Sequence, residues 1–468
     1  MGTPALSLPY RTDNKLYRLM TPQAPLVQTA THGEFKMDEY PNGTNAVVAV
    51  ISYTGFDMED SVILNKSSLE RGFAHATVTK TIEVDLKEEA KFVGASAGAE
   101  GVRLKFSNKN VNGQPMYPKL DEDGLPRIGE PVEEGDPLYC IVDSVTNHDK
   151  IVKHKEREIA YVESVRGIAT ESGKPSETKT SITLRFPRGP VIGDKFSSRH
   201  GQKGVVSIVW PQENMPFTES GITPDILFNP HGFPSRMTIG MLVESMAAKS
   251  GSLHGNYQDG TPFTFHESGD KVSVDYFGEQ LLAAGYNYYG SEPLYSGVSG
   301  CVMHADLYIG VVYYQRLRHM VSDKYQVRAT GPTNELTRQP IKGRKRGGGI
   351  RLGEMERDSL LSHGTAFLLH DRLVNCSDKH VAYVCGRCGD LLLPTTERST
   401  VQTTGQSASE AINKPKLRQF CRNPNCVELC NRPNGNDEAI EPIILPYVYR
   451  YLVNELAGMN IKIKMEIE

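Results

Sequence analysis

The stretch Gly193-Asp194-Lys195-Phe196-Ser197-Ser198-Arg199-His200-Gly201-Gln202-Lys203-Gly204 joins three glycines to two lysines and an arginine. Glycine lets backbone come close to a ligand, and the cationic side chains offer charge-assisted donors, a pairing that phosphate groups need. A solvated basic turn is the competing reading. In Asn229-Pro230-His231-Gly232-Phe233-Pro234-Ser235-Arg236, Ser235 is expected to cap a helix that carries Met237, Met241, Leu242, Val243 and Met246 and ends near Gly251. Arg236 then falls in the first turn, beside unpaired N–H groups and the positive dipole end, where an anion is stabilised. An arginine paired with a neighbouring carboxylate competes with that reading. Asp57, Glu59 and Asp60 follow a buried apolar run, and adjacent carboxylates there can hold Mg²⁺, which prefers oxygen ligands. Most acidic loops are merely solvated.

The cysteines give the strongest local signal. Cys385 and Cys388 have two residues between them and Gly389 after them, the knuckle that presents two thiolates to one ion. Cys421, Cys426 and Cys430 can complete a tetrahedral zinc site, but four residues separate the first two and three separate the last two. Cys421 and Cys426 are preferred because Asn423-Pro424-Asn425 between them is turn chemistry, and Cys430 remains the alternative ligand. A basic series runs through Arg316, Arg318, His319, Lys324, Arg328, Lys342, Arg344, Lys345, Arg346 and Arg351, its later members beside glycines. That composition suits contact with a nucleic-acid backbone, against a plain solvated face.

The elements that must position these groups follow from the apolar pattern. Asn45–Tyr53 reads as a strand buried on both faces, and Val62–Leu64 as a second short strand. Lys87–Lys179 is rich in charge, Gly and Pro and reads as an inserted, mainly β module containing pieces such as Leu138–Val142. Strands are expected again at Ile182–Phe186, Val205–Trp210 and Ala305–Tyr314. A closing helix is expected from Pro446 to Gly458, then an alternating strand over Ile461–Glu468. The length of 468 residues exceeds one compact core, so several domains are expected. A net charge of −4 argues against a protein that coats nucleic acid through bulk positive charge, but not against a local basic groove. Neither a membrane-spanning apolar run of roughly 18 residues nor a signal-peptide core stands out, so the expectation is a soluble, intracellular chain.

Taken in order, Tyr53–Lys66 (YTGFDMEDSVILNK), Gly193–Gly204, Asn229–Ser245, Arg316–Pro332, Gly347–Gly364 and the cysteine module resemble the second-largest, β-like subunit of cellular DNA-dependent RNA polymerases. Leu8–Val27 and the ending PYVYRYLVNELAGMNIKIKMEIE are most similar to the eukaryotic polymerase I form. Complete members of the family are longer, with regions that precede Met1.

The resemblance implies a mixed α+β, multidomain fold: a double-psi β-barrel core, an inserted mainly-β wall module and a C-terminal zinc-binding clamp module. Residues 1–75 and 190–352 would form the hybrid-binding, active-site region, 76–189 the wall and 353–468 the clamp module. It implies a nucleotidyltransferase active only with the largest subunit, making ribosomal RNA precursor in the nucleolus of the nucleus. Glu59 and Asp60 match the acidic pair beside a second, nucleotide-borne Mg²⁺. Lys195 and Lys203 match lysines near the RNA 3′ end, and Arg236 matches an arginine on the incoming triphosphate. Arg199, Lys324, Arg328, Lys342, Arg344 and Arg351 are expected to contact nucleic acid. Zn²⁺ would be structural and Mg²⁺ shared, while the partners would be the other polymerase subunits, DNA template, RNA–DNA hybrid and nucleoside triphosphates, with no membrane. Two other classes stay open, a zinc-ribbon nucleic-acid-binding module and a non-catalytic assembly subunit.

Overall fold

The β-branched run at Asn45 lies in strand β1 (Thr44–Val50), and its neighbours close into a ring. The other members are β2 (Ser61–Asn65), β3 (Lys195–Ser198), β4 (Lys203–Trp210), β5 (Ile226–Phe228) and β6 (Leu307–Arg316). Hydrogen bonds run in the order β1-β5-β2-β4-β3-β6, and β6 pairs back onto β1. The β1–β5 and β2–β4 junctions are parallel and the remaining four are antiparallel. Side-chain alternation sends Ala46, Val48, Val62, Leu64, Phe196, Val206, Ile226 and Tyr314 into one cluster. Ala49, Ile51, Ile63, Leu227 and Ile309 pack in another. Both faces of β1, β2 and β6 are covered, which is why these three read as apolar runs, whereas β4 begins with an exposed Lys203 and Val205.

This computed structural model describes residues 7–93, 104–109, 114–143, 148–169, 175–263, 265, 272–399, 416–424, 426 and 440–466. The chain divides into two units, Met1–Asp323 and Lys324–Glu468. Within the first unit, a five-stranded antiparallel sheet has the order Lys15–Leu19, Ala76–Asp85, Pro175–Arg188, Ala160–Ala169, Pro131–Val132. Val78, Val84, Val162, Ile182, Leu184 and Phe186 bury one face of it. A three-stranded sheet of Leu104–Phe106, Pro137–Asp143 and Asp149–Lys153 adds to the β content expected here.

In the second unit, Lys324–Arg351 is a loop with one 3-10 turn, Arg344–Arg346. Helices Glu354–His363 and Ala366–His370 follow, then the strand pairs Lys379–Cys385 with Ile440–Pro446 and Pro394–Ser399 with Lys416–Cys421. A helix over Tyr447–Gly458 starts behind Pro446, as the sequence predicts. No helix among the described residues is long and apolar enough to cross a membrane.

Two expectations are corrected. Ser235 caps nothing: it lies inside a short helix, α1 (Gly232–Arg236), which ends where Met237 turns left-handed at φ 53°. A separate helix, α2 (Ile239–His254), then runs on to a left-handed Gly255. Proline is compatible with the early start. It is tolerated in a first turn, whose N–H groups have no intrahelical partner, and Pro234 occupies that turn of α1. The alternating Ile461–Glu466 forms no strand. Alternation cannot supply a neighbouring edge. Instead the Met465 N–H donates to Gly389 O at 2.8 Å, and Ile463 and Met465 pack on the C-terminal core.

Candidate functional site

Strands β3 and β4 bring the two motif lysines together. Lys195 stands opposite Val205 and Ser197 opposite Lys203, so both lysines share one face of the ladder as diagonal neighbours, about 7–8 Å apart. Phe196 and Val206 occupy the opposite, buried face. Neither lysine forms an ion pair among the described residues. Val205 in turn pairs with Ser61 of β2, and its N–H donates to Asp60 O at 3.1 Å. The acidic loop therefore reaches the same end of the ring. Gly204 permits that approach: a Cβ there would stand 2.9 Å from Asp60 O and 2.9 Å from Val62 Cγ1.

The loop before β2 is set by left-handed residues at Thr54, Gly55, Glu59 and Asp60. Asp57 turns inward, fully buried, and its Oδ2 accepts the Tyr53 N–H at 3.1 Å. Of the three acids only Glu59 and Asp60 face solvent. Arg236, the last residue of α1, donates from Nη2 to Asp60 Oδ2 at 2.6 Å. Its place at a helix C-terminus removes the dipole argument, and the carboxylate-paired reading holds instead. That hydrogen bond raises the Arg236 pKa. Gln202 tethers the lysine loop to α1 through Gly232 O at 3.2 Å and to the start of α2 through the Thr238 hydroxyl. Lys195, Lys203, Asp60 and Arg236 thus gather at one end of the ring, with Glu59 beside them. Such a set can neutralise phosphate oxygens and offer carboxylate oxygens to a divalent cation.

Arg199 sits differently. Its Nη2 donates to Glu244 Oε1 at 2.5 Å and its Nη1 to Val27 O at 2.9 Å, while the guanidinium lies 5.1 Å from the Tyr313 ring centroid. His200 bonds the other oxygen of Glu244. Burial would raise the Glu244 carboxyl, but hydrogen bonds from His200 and Arg199 hold it below its ordinary value. Sequence reasoning assigns Glu244 no role; an acid within the apolar Met241–Met246 segment is its available signal. Asp194 is likewise missed. It holds Arg316 at 2.6 Å and accepts the Val321 N–H, fixing the loop that leads into β3. Burial lowers the Arg316 pKa, with Asp194 opposing.

In the second unit, Arg328 is a clip rather than an open cation, donating to Pro332 O, Gly347 O and Gly331 O at 2.8–2.9 Å. Arg344 lies over the Tyr325 ring at 5.1 Å. Lys324, Lys342 and Arg351 are exposed along the same loop.

Cys385, Cys388, Cys421 and Cys426 bring their sulfurs within 4.8 Å of one another. The Cys388–Cys421 separation is 3.7 Å, close to the roughly 3.8 Å edge of a tetrahedron with zinc–sulfur bonds of about 2.3 Å. Cys385 and Cys421 are fully buried. Gly389, left-handed at φ +66°, closes the first knuckle, where a Cβ would meet Met465 O at 2.4 Å. The Cys426 N–H donates to Asn423 O at 2.8 Å, closing the longer knuckle. This donor set fits a structural metal ion. Cys430 lies outside the described residues.

Comparison with known proteins shows the family to which the chain belongs. The family model described as RNA polymerase Rpb2, domain 6, matches residues 1–346, and RNA polymerase Rpb2, domain 7, matches residues 348–468. The chain is 53% identical over 468 residues to DNA-directed RNA polymerase I subunit RPA2 of Homo sapiens. It is 50% identical over 471 residues to the probable subunit RPA2 of Schizosaccharomyces pombe, and 50% over 488 to subunit RPA135 of Saccharomyces cerevisiae. Each alignment covers 100% of this chain but only 39–40% of the relative. The chain belongs to the RNA polymerase Rpb2 family, the second-largest subunits of DNA-dependent RNA polymerases, and is similar over its whole length to the polymerase I members.

Proposed function

We propose that this chain is part of the catalytic second-largest subunit of RNA polymerase I and contributes one side of an active site that makes ribosomal RNA precursor in the nucleolus. The gathering of Lys195, Lys203, Asp60 and Arg236 at one end of a closed ring carries the reading. The RNA 3′-hydroxyl attacks the α-phosphate of a nucleoside triphosphate, and pyrophosphate leaves. Lys195 and Lys203 offset charge at the RNA 3′ end and nearby phosphates, and Arg236 takes the triphosphate. The Asp60 pair holds Arg236 in position before nucleotide arrives.

Glu59 and Asp60 keep exposed carboxylate oxygens, which fits a Mg²⁺ that enters with most of its ligands on the nucleotide. Such an ion would stabilise the leaving oxygens. The first metal and its acidic loop belong to the largest subunit in this reading. The six-stranded ring with two parallel junctions supports a double-psi β-barrel built from residues 1–75 and 190–352, with 76–189 as a wall and 353–468 as the clamp-associated module. Zinc is the proposed ion of the four cysteines, and Lys324, Lys342 and Arg351 the proposed contacts to hybrid or template. Arg199 and Arg328, bonded internally, would support their loops while adding charge near nucleic acid.

The test is Lys203→Ala in an enzyme reconstituted with the full-length subunit. Slower nucleotide addition with unchanged subunit assembly is expected. Normal elongation would contradict the reading and favour a purely structural subunit.

A further inference from the structure

The five-stranded sheet has a second face that the nucleotide site does not use. Since Val78, Val162, Ile182 and Leu184 point into the core, Thr77, Thr79, Thr183 and Arg185 face the other way. A cavity of about 590 Å³ opens there. Register explains its shape. Arg18 stands opposite Thr77, Thr79 opposite Arg185, and Thr183 opposite Ser164. Short hydroxyl side chains make the floor, while Arg18, Arg166 and Arg185 stand around it.

None of these three arginines pairs with a carboxylate among the described residues. Arg185 lies 5.9 Å from the Tyr161 ring centroid. The one acid in the lining, Glu163, accepts from the Thr79 hydroxyl at 3.5 Å. Three like charges around one hollow repel each other, and an anionic ligand relieves that repulsion. A second observation concerns the backbone. Strand Lys15–Leu19 is the outer member of the sheet, pairing with Ala76–Lys80 on one side and with no other strand among the described residues. Its free side can accept an added strand. Leu16, Leu19 and Met20 of this same segment line the cavity, with Pro22.

We propose that this cavity is a docking site for an acidic, extended segment of a partner protein, which adds along the Lys15–Leu19 edge and sets carboxylates on Arg18, Arg166 and Arg185. Alternate residues of an extended strand share a face about 7 Å apart, so one segment can present several acids to the cavity and aliphatic side chains to its rim. Nucleic acid fits less well. None of the residues that line the cavity is aromatic, and Tyr161 beside Arg185 is a single ring, short of the successive stacking platforms that single-strand binding uses. The proposal stands apart from the nucleotide-site reading.

The test places the photo-crosslinker p-benzoylphenylalanine at Met20 of the full-length subunit in its native assembly, with mass spectrometry of the adduct. The expected product is an Asp- or Glu-rich segment of a different polypeptide, lost in Arg18→Glu, Arg166→Glu, Arg185→Glu and retained with lysine at the same positions. A synthetic peptide of that segment is then expected to bind the purified assembly at least about tenfold more weakly when the three arginines are alanine. An RNA or DNA adduct would overturn the proposal, as would an adduct within the same polypeptide or one indifferent to charge reversal. Absence of any adduct would overturn it too.

Discussion

At the scale of single residues, the lysine-bearing end of the ring depends on contacts that leave little room. A Gly204→Ala Cβ would meet Asp60 O and Val62 at 2.9 Å, so the acidic loop must shift. Displacements of about 1 Å near reacting groups cost on the order of a hundredfold in rate. Gly204→Ala in the assembled enzyme is therefore expected to slow single-nucleotide addition by roughly that factor, read by rapid quench. Arg236→Gln should act on binding. Loss of a charge-assisted hydrogen bond of about 1.5–3 kcal/mol raises the apparent KM for nucleoside triphosphate some ten- to a hundredfold. An unchanged KM would leave Arg236 as a support for Asp60 alone.

At the scale of elements, α2 is pinned to the lysine-bearing loop by Glu244 with Arg199 and His200. A carboxyl held below its ordinary value of 4.5 contributes stability that is present above that pH and lost as pH falls through the depressed value. Glu244→Gln is expected to cost on the order of 3 kcal/mol near neutrality and to flatten the acid limb below about pH 4.5. Urea unfolding of the full-length subunit against pH reads both; an unchanged acid limb would remove Glu244 as its source. How much of this was legible varies with the physics. Strands β1, β2 and β6 were readable because both faces are covered, so they read as apolar runs, and β4 was readable from its β-branched residues despite an exposed Lys203 and Val205. The three-residue β5 and the closure of the ring were not, since they depend on partners far along the chain. The α1–α2 break rests on a left-handed Met237 that no local preference announces. Motif composition marked Arg199 and Arg328 as cations, but not that carboxylate and carbonyl partners within the chain would engage them.

At the scale of the molecule, the two units rest on different foundations. Apolar ring strands and the five-stranded sheet hold the first, whereas the strand pairs of the second converge on four sulfurs. A single zinc per chain is expected by elemental analysis of the purified subunit, lost in Cys385→Ser and in Cys426→Ser. Retention of zinc in Cys426→Ser would assign the fourth position to Cys430. Chelation should raise hydrogen exchange in Lys379–Cys385 and Ile440–Pro446 while leaving β1–β6 unchanged. The central claim concerns where RNA ends. A stalled elongation complex carrying a photoreactive nucleotide at the RNA 3′ terminus, crosslinked and mapped by mass spectrometry, tests it most directly. Adducts within Gly193–Gly204, at or beside Lys195 and Lys203, are the result this account predicts. Adducts confined to other segments, with that loop unmarked, would contradict it.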